Sequence, residues 1–281
     1  MRILVTGKSG FTGAYLADEL MRRGHEVFDL VADLRDRDAV VAQIEQIKPE
    51  AVAHLAAQAF VAHGDLAEFY EVNTLGTNTL LEALKTLSPG VDAVLLASSA
   101  AIYGNFEGAI AETKVPQPGN HYAISKLAME HVASLYSDAL PMTIVRPFNY
   151  TGIGQREQFL VPKIVSHFHR KAPVIELGNI DVSREFGDVR RVVGLYADLL
   201  ETPRPDLTVN ICTGRPHRLR DLVEACNRLA GYEIEIRVNP AFVRANEINE
   251  MSGDDKLMRQ ILNPPEPIAL EETLEWMLSA R

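Results

Sequence analysis

The stretch from Arg2 to Met21 constrains this chain more than any other. An apolar strand candidate, Arg2 to Thr6, leads at once into Gly7-Lys8-Ser9-Gly10-Phe11-Thr12-Gly13 and then a helical pattern through Leu16, Leu20 and Met21. When strand, glycine turn and helix follow in this order, the glycines have separate jobs. One makes the tight turn, one lets a pyrophosphate approach the backbone, and one lets helix and sheet pack closely. The first-turn N–H groups of the helix then serve as the anion site. Gly7, Gly10, Phe11, Thr12 and Gly13 are thus candidate cofactor contacts.

The following segments continue the alternation of strands and helices. Glu26 to Leu30 reads as a second strand, after which an acidic residue reaching an adenosine ribose is expected. Asp29 and Asp33 both offer one. Asp33-Leu34, ahead of a helix over Asp38 to Ile47, is preferred as the contact near the adenine, and Asp29 is read as a strand-end residue. No arginine follows the strand directly, while Lys8 lies in the glycine loop, so NADH against NADPH stays open. Ala51 to Leu55 reads as the next strand, and the small residues of Leu55-Ala56-Ala57-Gln58 let a cofactor lie against the backbone. His54 has no second metal-type residue nearby and reads as a core histidine, so no metal is expected. Asn73 opens a helix with Leu80, Leu84 and Leu87 on one stripe and is expected to be a structural hydrogen-bonder. Ala93 to Ala97 is apolar throughout, as suits a parallel strand covered on both faces, and it delivers Ser98-Ser99 to its carboxyl end.

Tyr122 and Lys126 sit four residues apart, on one face of a predicted helix. A lysine beside a tyrosine favours the phenolate, so the Tyr122 pKa is expected below its ordinary value of about 10, where a phenol can act as general acid or base. The spacing alone also fits an exposed amphipathic face. In an open α/β sheet, however, ligands bind at the carboxyl ends of the strands, so Ser99, the glycine loop and Tyr122 can converge on one crevice.

Composition bounds the rest. With 281 residues, 47% hydrophobic and 23% charged, the chain can build one large domain or a domain with a smaller lobe. A formal net charge of −10 argues against nucleic acid as a partner. Cys212 and Cys226 have neither the number nor the spacing of a disulfide framework or zinc site and read as buried thiols of a reducing compartment. The apolar run Ile3-Leu4-Val5 is too short for a signal peptide, and no run of spanning length occurs, so a cytoplasmic protein without membrane contact is expected.

Four motifs in order, Gly7-x-x-Gly10-x-x-Gly13, Ser99-Ala100-Ala101-Ile102-Tyr103-Gly104, Tyr122-x-x-x-Lys126 and Arg146-Pro147-Phe148-Asn149, resemble the extended short-chain dehydrogenases that act on nucleotide sugars. The segment from Gly178 to Val189 is most similar to the GDP-6-deoxy-4-keto-mannose reductases, which form GDP-rhamnose. The resemblance implies an α/β doubly wound parallel (Rossmann) sheet over 1–150 and 187–211, interleaved with a smaller nucleotide-sugar lobe over 151–186 and 212–281. It implies Ser99, Tyr122 and Lys126 as catalytic, NAD(P)H as cofactor with Pro147 among its contacts, and reduction of the 4-keto group of a nucleotide-linked 4-keto-6-deoxyhexose. Asn149 and Lys163 would face the sugar nucleotide, with Arg184 and Arg244 on its diphosphate. A homodimer through helices near 73–87 and 122–137 is implied too.

Among the alternatives, a 4-epimerase uses the same Ser, Tyr and Lys. Related 4,6-dehydratases carry acidic residues just after the catalytic hydroxyl, where this chain has Ala100 and Ala101. A non-catalytic sensor would have lost a member of the triad. The end of the lobe departs from the family pattern, with Leu262-Asn263-Pro264-Pro265 where a Gly-Trp is usual and the single tryptophan later, at Trp276.

Overall fold

The structure is a computed structural model and describes residues 1–59, 66–242 and 248–280. Its first half alternates as expected. Strand β1 (Arg2–Thr6) leads through the glycine turn to α1 (Phe11–Arg22), β2 (Glu26–Asp29), α2 (Arg37–Ile47) and β3 (Ala51–His54). A short α3 (Ala67–Tyr70) then runs into a π-helical turn over Glu71–Gly76 and α4 (Thr77–Lys85). After β4 (Ala93–Ala97) come a 3-10 turn (Ala100–Tyr103), β5 (Gly108–Ile110), α5 (His121–Ser134) and β6 (Met142–Pro147).

The second half weaves between two bodies. It passes through β7 (Tyr150–Thr151), α6 (Leu160–His169), β8 (Val174–Leu177), β9 (Ser183–Glu185) and β10 (Gly187–Asp188) before α7 (Val189–Glu201) and β11 (Leu207–Ile211). Then follow β12 (Pro216–Arg218), α8 (Leu219–Ala230), β13 (Glu235–Val238), β14 (Glu250–Gly253), α9 (Lys256–Leu262) and α10 (Leu270–Ser279).

The main sheet has six strands in the order β11-β6-β4-β3-β1-β2, all parallel. Alternate residues of each strand feed opposite cores. Ile3, Val5, Ala51, Ala53 and Leu95 pack under α1 and α7, while Leu4, Val52, Val94 and Leu96 pack under α2, α4 and α5. Burial on both faces explains why these strands read as apolar runs rather than alternating ones. From β1 the chain goes to β2 on one side and then to β3 on the other, so the glycine turn lies at the switch point of the sheet.

The lobe is built on α6, α8 and α10, whose core includes Val161, Ile164, Phe168, Leu222 and Leu274. A four-stranded sheet, β12-β9-β14-β5, joins it to the main body. Two segments cross the expected division. β5, within 1–150, pairs in parallel with β14, and α9, within 212–281, buries Met258 in the main core. Side-chain periodicity cannot report such exchanges, because a three-residue strand and a seven-residue helix carry too little pattern. Trp276 on α10 lies under the Arg190 guanidinium at 4.0 Å and edge-on to Tyr15, so it packs at the joint between the bodies.

Candidate active site

The glycine turn is shaped so that only glycine fits at its ends. Gly7 has φ +70°, and a Cβ there would meet the Ala56 backbone at 2.9 Å; a Cβ on Gly13 would lie 2.1 Å from the Gly7 carbonyl. Helix α1 starts at Phe11 with Gly10 as its N-cap and no side-chain cap, which leaves its first-turn N–H groups for a ligand. Neighbouring Leu55 and Ala56 are held by Thr6: the Leu55 N–H donates to the Thr6 carbonyl, and the Ala56 N–H to the Thr6 hydroxyl at 3.1 Å. Beneath them, His54 bonds Thr6 at 2.7 Å and Thr77 at 2.8 Å, and burial holds its imidazole down to about 3, so it is neutral. The expected core histidine is thus fully satisfied. Among the described residues no group of His, Cys, Asp and Glu could hold a metal.

Asn73 lies in the π-helical turn with its side chain fully buried. Its Oδ1 accepts from the Gln58 N–H at 2.7 Å, and its Nδ2 donates to the Gln58 carbonyl and the Ser125 hydroxyl, both at 3.0 Å. One amide therefore ties the small-residue segment after β3 to the helix that carries Tyr122 and Lys126. That helix, α5, is N-capped by Asn120, whose Oδ1 accepts from the Ala123 N–H at 2.9 Å.

Ser99 leaves the carboxyl end of β4 and caps the 3-10 turn, accepting from the Ala101 N–H at 3.1 Å. Its hydroxyl also lies close enough to the Tyr122 phenol to favour the ionised form. Lys126 is 2% exposed and donates from Nζ to the Ala97 carbonyl at 2.7 Å, two residues before Ser99. The three predicted residues therefore meet at one point on the carboxyl end of the sheet. Their electrostatics differ from the expectation. Burial raises the Tyr122 phenol above its ordinary value, and the neighbouring Ser99 hydroxyl is what opposes the rise. Burial also brings the Lys126 ammonium down to about 8. A lysine in this setting offers its neighbour less charge than the helical spacing suggests, because both groups lose water at once.

Sequence reasoning missed two supports of this centre. Glu130, one turn beyond Lys126, holds Arg146 on β6 in a two-pronged pair at 3.0 and 2.7 Å, and Arg146 also donates to the Tyr103 hydroxyl at 3.0 Å. The signal was present as a four-residue repeat, Tyr122, Lys126, Glu130, and as the arginine of a quoted motif. Tyr150 is the other. Its hydroxyl bonds Thr12 of the glycine turn at 2.7 Å and its ring stacks on Phe11, while burial pushes its phenol up to about 12. No local pattern marks that contact.

A family model described as the NAD dependent epimerase/dehydratase family matches residues 3–212. The chain belongs to that family. As a member of the NAD dependent epimerase/dehydratase family it is an NAD(P)-dependent enzyme with the expected Rossmann fold. The GDP-6-deoxy-D-talose 4-dehydrogenase of Aggregatibacter actinomycetemcomitans is 38% identical over 270 residues, 93% of this chain and 91% of its own. The GDP-6-deoxy-D-mannose reductase of Pseudomonas aeruginosa is 32% identical over 296 residues, covering 99% and 96%. The solved structure of RMD from Pseudomonas aeruginosa, complexed with NADPH, superposes with a TM-score of 0.90 at 30% identity, covering 99% of this chain and 98% of that one.

The remaining predicted contacts lie as follows. Pro147 ends β6, and Asn149 is exposed just beyond it. Ala57 is half-buried next to Ala56. The Asp33 carboxylate is gripped by Arg35 at 2.6–3.1 Å, which holds it at about 2, and the Leu34 side chain is buried in the core beneath α2. Lys163 donates to the Glu176 carbonyl at 2.7 Å and lies over the Phe242 ring at 4.8 Å. Arg184 donates to the Ser183 carbonyl at 2.7 Å and the Ile248 carbonyl at 3.0 Å. Asp33, Lys163 and Arg184 are thus each engaged by protein groups. Arg244 lies outside the described residues. No helix among the described residues is long and apolar enough to cross a membrane.

Proposed function

We propose that this enzyme reduces the 4-keto group of a GDP-linked 4-keto-6-deoxyhexose, of the type that yields GDP-rhamnose. The reading rests on the meeting of Ser99, Tyr122 and Lys126 beside the glycine turn. The glycine cradle and the uncapped start of α1 suit a dinucleotide pyrophosphate held by Gly7, Gly10, Phe11, Thr12 and Gly13, with Leu55, Ala56, Ala57 and Pro147 along its length. NAD(P)H, when bound, supplies the hydride.

The chain's own residues manage the proton. Ser99 hydrogen-bonds the ketone oxygen, and Tyr122, a phenol that is protonated at neutral pH and kept so by burial, donates to that oxygen as negative charge develops on it. Lys126 holds the site's positive charge near the tyrosine and bonds the nicotinamide ribose. Asn149, just beyond β6, and Lys163 and Arg184 of the lobe are assigned to the nucleotide sugar.

The two relatives described above are named for GDP-6-deoxy-D-talose and GDP-6-deoxy-D-mannose, sugars that differ in configuration at C4 and share one 4-keto form. Which face of the ketone meets the hydride therefore decides the product, and the lobe sets that face. The test supplies purified protein with GDP-, dTDP- and UDP-linked 4-keto-6-deoxysugars and NADH or NADPH, follows cofactor oxidation, and reads the C4 configuration by NMR. Oxidation with the GDP-linked ketone alone supports the reading. Interconversion of nucleotide sugars without net cofactor consumption would replace it with a 4-epimerase.

The same reading includes a homodimer through helices near 73–87 and 122–137, where Leu75 (61% exposed), Ile124 (39%) and Leu135 (79%) present apolar surface. Light scattering of the purified chain and of Leu75→Asp tests it. A cytoplasmic setting agrees with Cys212 and Cys226, both buried free thiols.

A further inference from the structure

The four-stranded sheet that joins the lobe to the main body is closed at one point by a side chain. Main-chain pairing of β14 with β9 runs through Glu250 opposite Ser183 and Met251 opposite Arg184. Beyond it the Glu185 carboxylate, 1% exposed at the end of β9, takes over. Its Oε2 accepts from the N–H of Gly253, the last residue of β14, at 2.8 Å. Its Oε1 accepts from the N–H of Thr213, just past the end of β11, at 2.9 Å. A single carboxylate therefore ties β9 both to β14 and to the exit of the main sheet's edge strand. The segments meet closely there, since a Cβ on Gly253 would lie 2.5 Å from the Cys212 Cβ.

Among the described residues no cation pairs with Glu185. A buried carboxylate without a counter-charge is unfavourable, so stability alone does not account for it. What it offers is two acceptors on one planar group. Burial pushes the carboxyl up to about 7, while the N–H groups of Gly253, Thr213 and Gly214 favour the ionised, two-acceptor form. The strand held in this way is also the one that aims Arg184. That guanidinium, on the residue before Glu185, donates to the carbonyls of Ile248 at 3.0 Å and Asn249 at 3.4 Å, where the chain enters β14.

We propose that Glu185 is a positioning residue for the sugar nucleotide: by fixing β14 against β9 it sets the Arg184 guanidinium for the diphosphate. This rests on the reading of Arg184 as a diphosphate contact. Glutamine at this place keeps one acceptor and turns an NH2 group toward the other N–H, so one of the two holds is lost.

The experiment compares the unaltered chain, Glu185→Gln, Arg184→Met and the double variant at about pH 8, where the carboxylate form prevails, with the GDP-linked 4-keto-6-deoxysugar and saturating nicotinamide nucleotide. Glu185→Gln is expected to raise KM for the sugar nucleotide by about tenfold, with kcat and nucleotide affinity within about twofold of the unaltered chain. Because Glu185 acts through Arg184, the double variant should match Arg184→Met within about twofold in KM. Should Glu185→Gln fail to fold, Glu185→Asp, which keeps the charge on a shorter stem, is expected to raise KM by about threefold. An unchanged KM in either Glu185 variant, or additive effects in the double variant, would overturn the assignment and leave the GDP-sugar reading standing. Failure of the unaltered chain to turn over or bind any GDP-linked sugar would remove that reading and the assignment with it.

Discussion

Two lysines, one beneath the main sheet and one on the lobe, make the same bond and have different prospects. Lys126 on α5 and Lys163 on α6 each donate Nζ to a main-chain carbonyl at 2.7 Å, that of Ala97 and that of Glu176. Lys126 does so under a packed sheet, 2% exposed, and burial brings its ammonium down to about 8. Lys163 does so at the lobe surface, where water reaches it and Phe242 covers only one side. Solvation, rather than the hydrogen bond, separates a tunable group from a supporting one.

The firmest way to break this comparison is to remove what keeps the main-sheet end rigid. Arg146→Leu strands the buried Glu130 carboxylate, and loss of one partner of such a pair costs about 3–5 kcal/mol. Urea unfolding should show that loss; a change under 1 kcal/mol would mean that the pair does not hold the Lys126 helix in place. Next in size, Tyr122→Phe should lower turnover by about a hundredfold or more while nucleotide affinity stays within about twofold. Near-normal turnover would remove Tyr122 from the chemistry.

The pH dependence sharpens the contrast between the lysines. The folded-state pKa of Lys126 is depressed from 10.5 to about 8, so between these values the unfolded chain carries a proton that the folded chain has lost. Its contribution to stability is therefore full above 10.5 and is lost as pH falls through about 8. Across that window this group alone adds up to about 1.4 kcal/mol per pH unit. Comparing the unaltered chain with Lys126→Met at pH 7.5 and pH 10 should reveal that slope in the former only. The smallest expected effect is for Lys163→Met, with a rise of about threefold to tenfold in KM for the sugar nucleotide and unchanged nucleotide affinity. A hundredfold fall in turnover would place Lys163 beside Lys126 and end the contrast.

Legibility in the sequence followed the same division. Around the glycine turn each cue was local: Gly7 and Gly13 sit where a Cβ would collide with backbone, and Tyr122 and Lys126 share a helix face. The repeat Tyr122, Lys126, Glu130 marks Glu130, but its pairing with Arg146 spans 16 residues, and that of Thr12 with Tyr150 spans 138, so the contacts themselves leave no local trace. In the lobe, the resemblance implies a diphosphate contact for Arg184, and the sequence gives no sign that its guanidinium also meets the Ile248 carbonyl, a contact that depends on β14 lying beside β9. Asp33 and Asp29 show the limit most simply. Both acids follow from the sequence, but which of them Arg35 occupies is a matter of side-chain reach.

By itself the sequence determined a doubly wound sheet, a glycine turn at its switch point and a serine, tyrosine and lysine in the order the family uses. Those features rest on backbone sterics and on the periods of helix and strand, which act over a few residues. Tertiary structure alone decided how much water each charge keeps: it raised the Tyr122 phenol where the spacing predicted a fall and lowered Lys126. Desolvation depends on everything packed around a group, so it is set only when distant segments have come together.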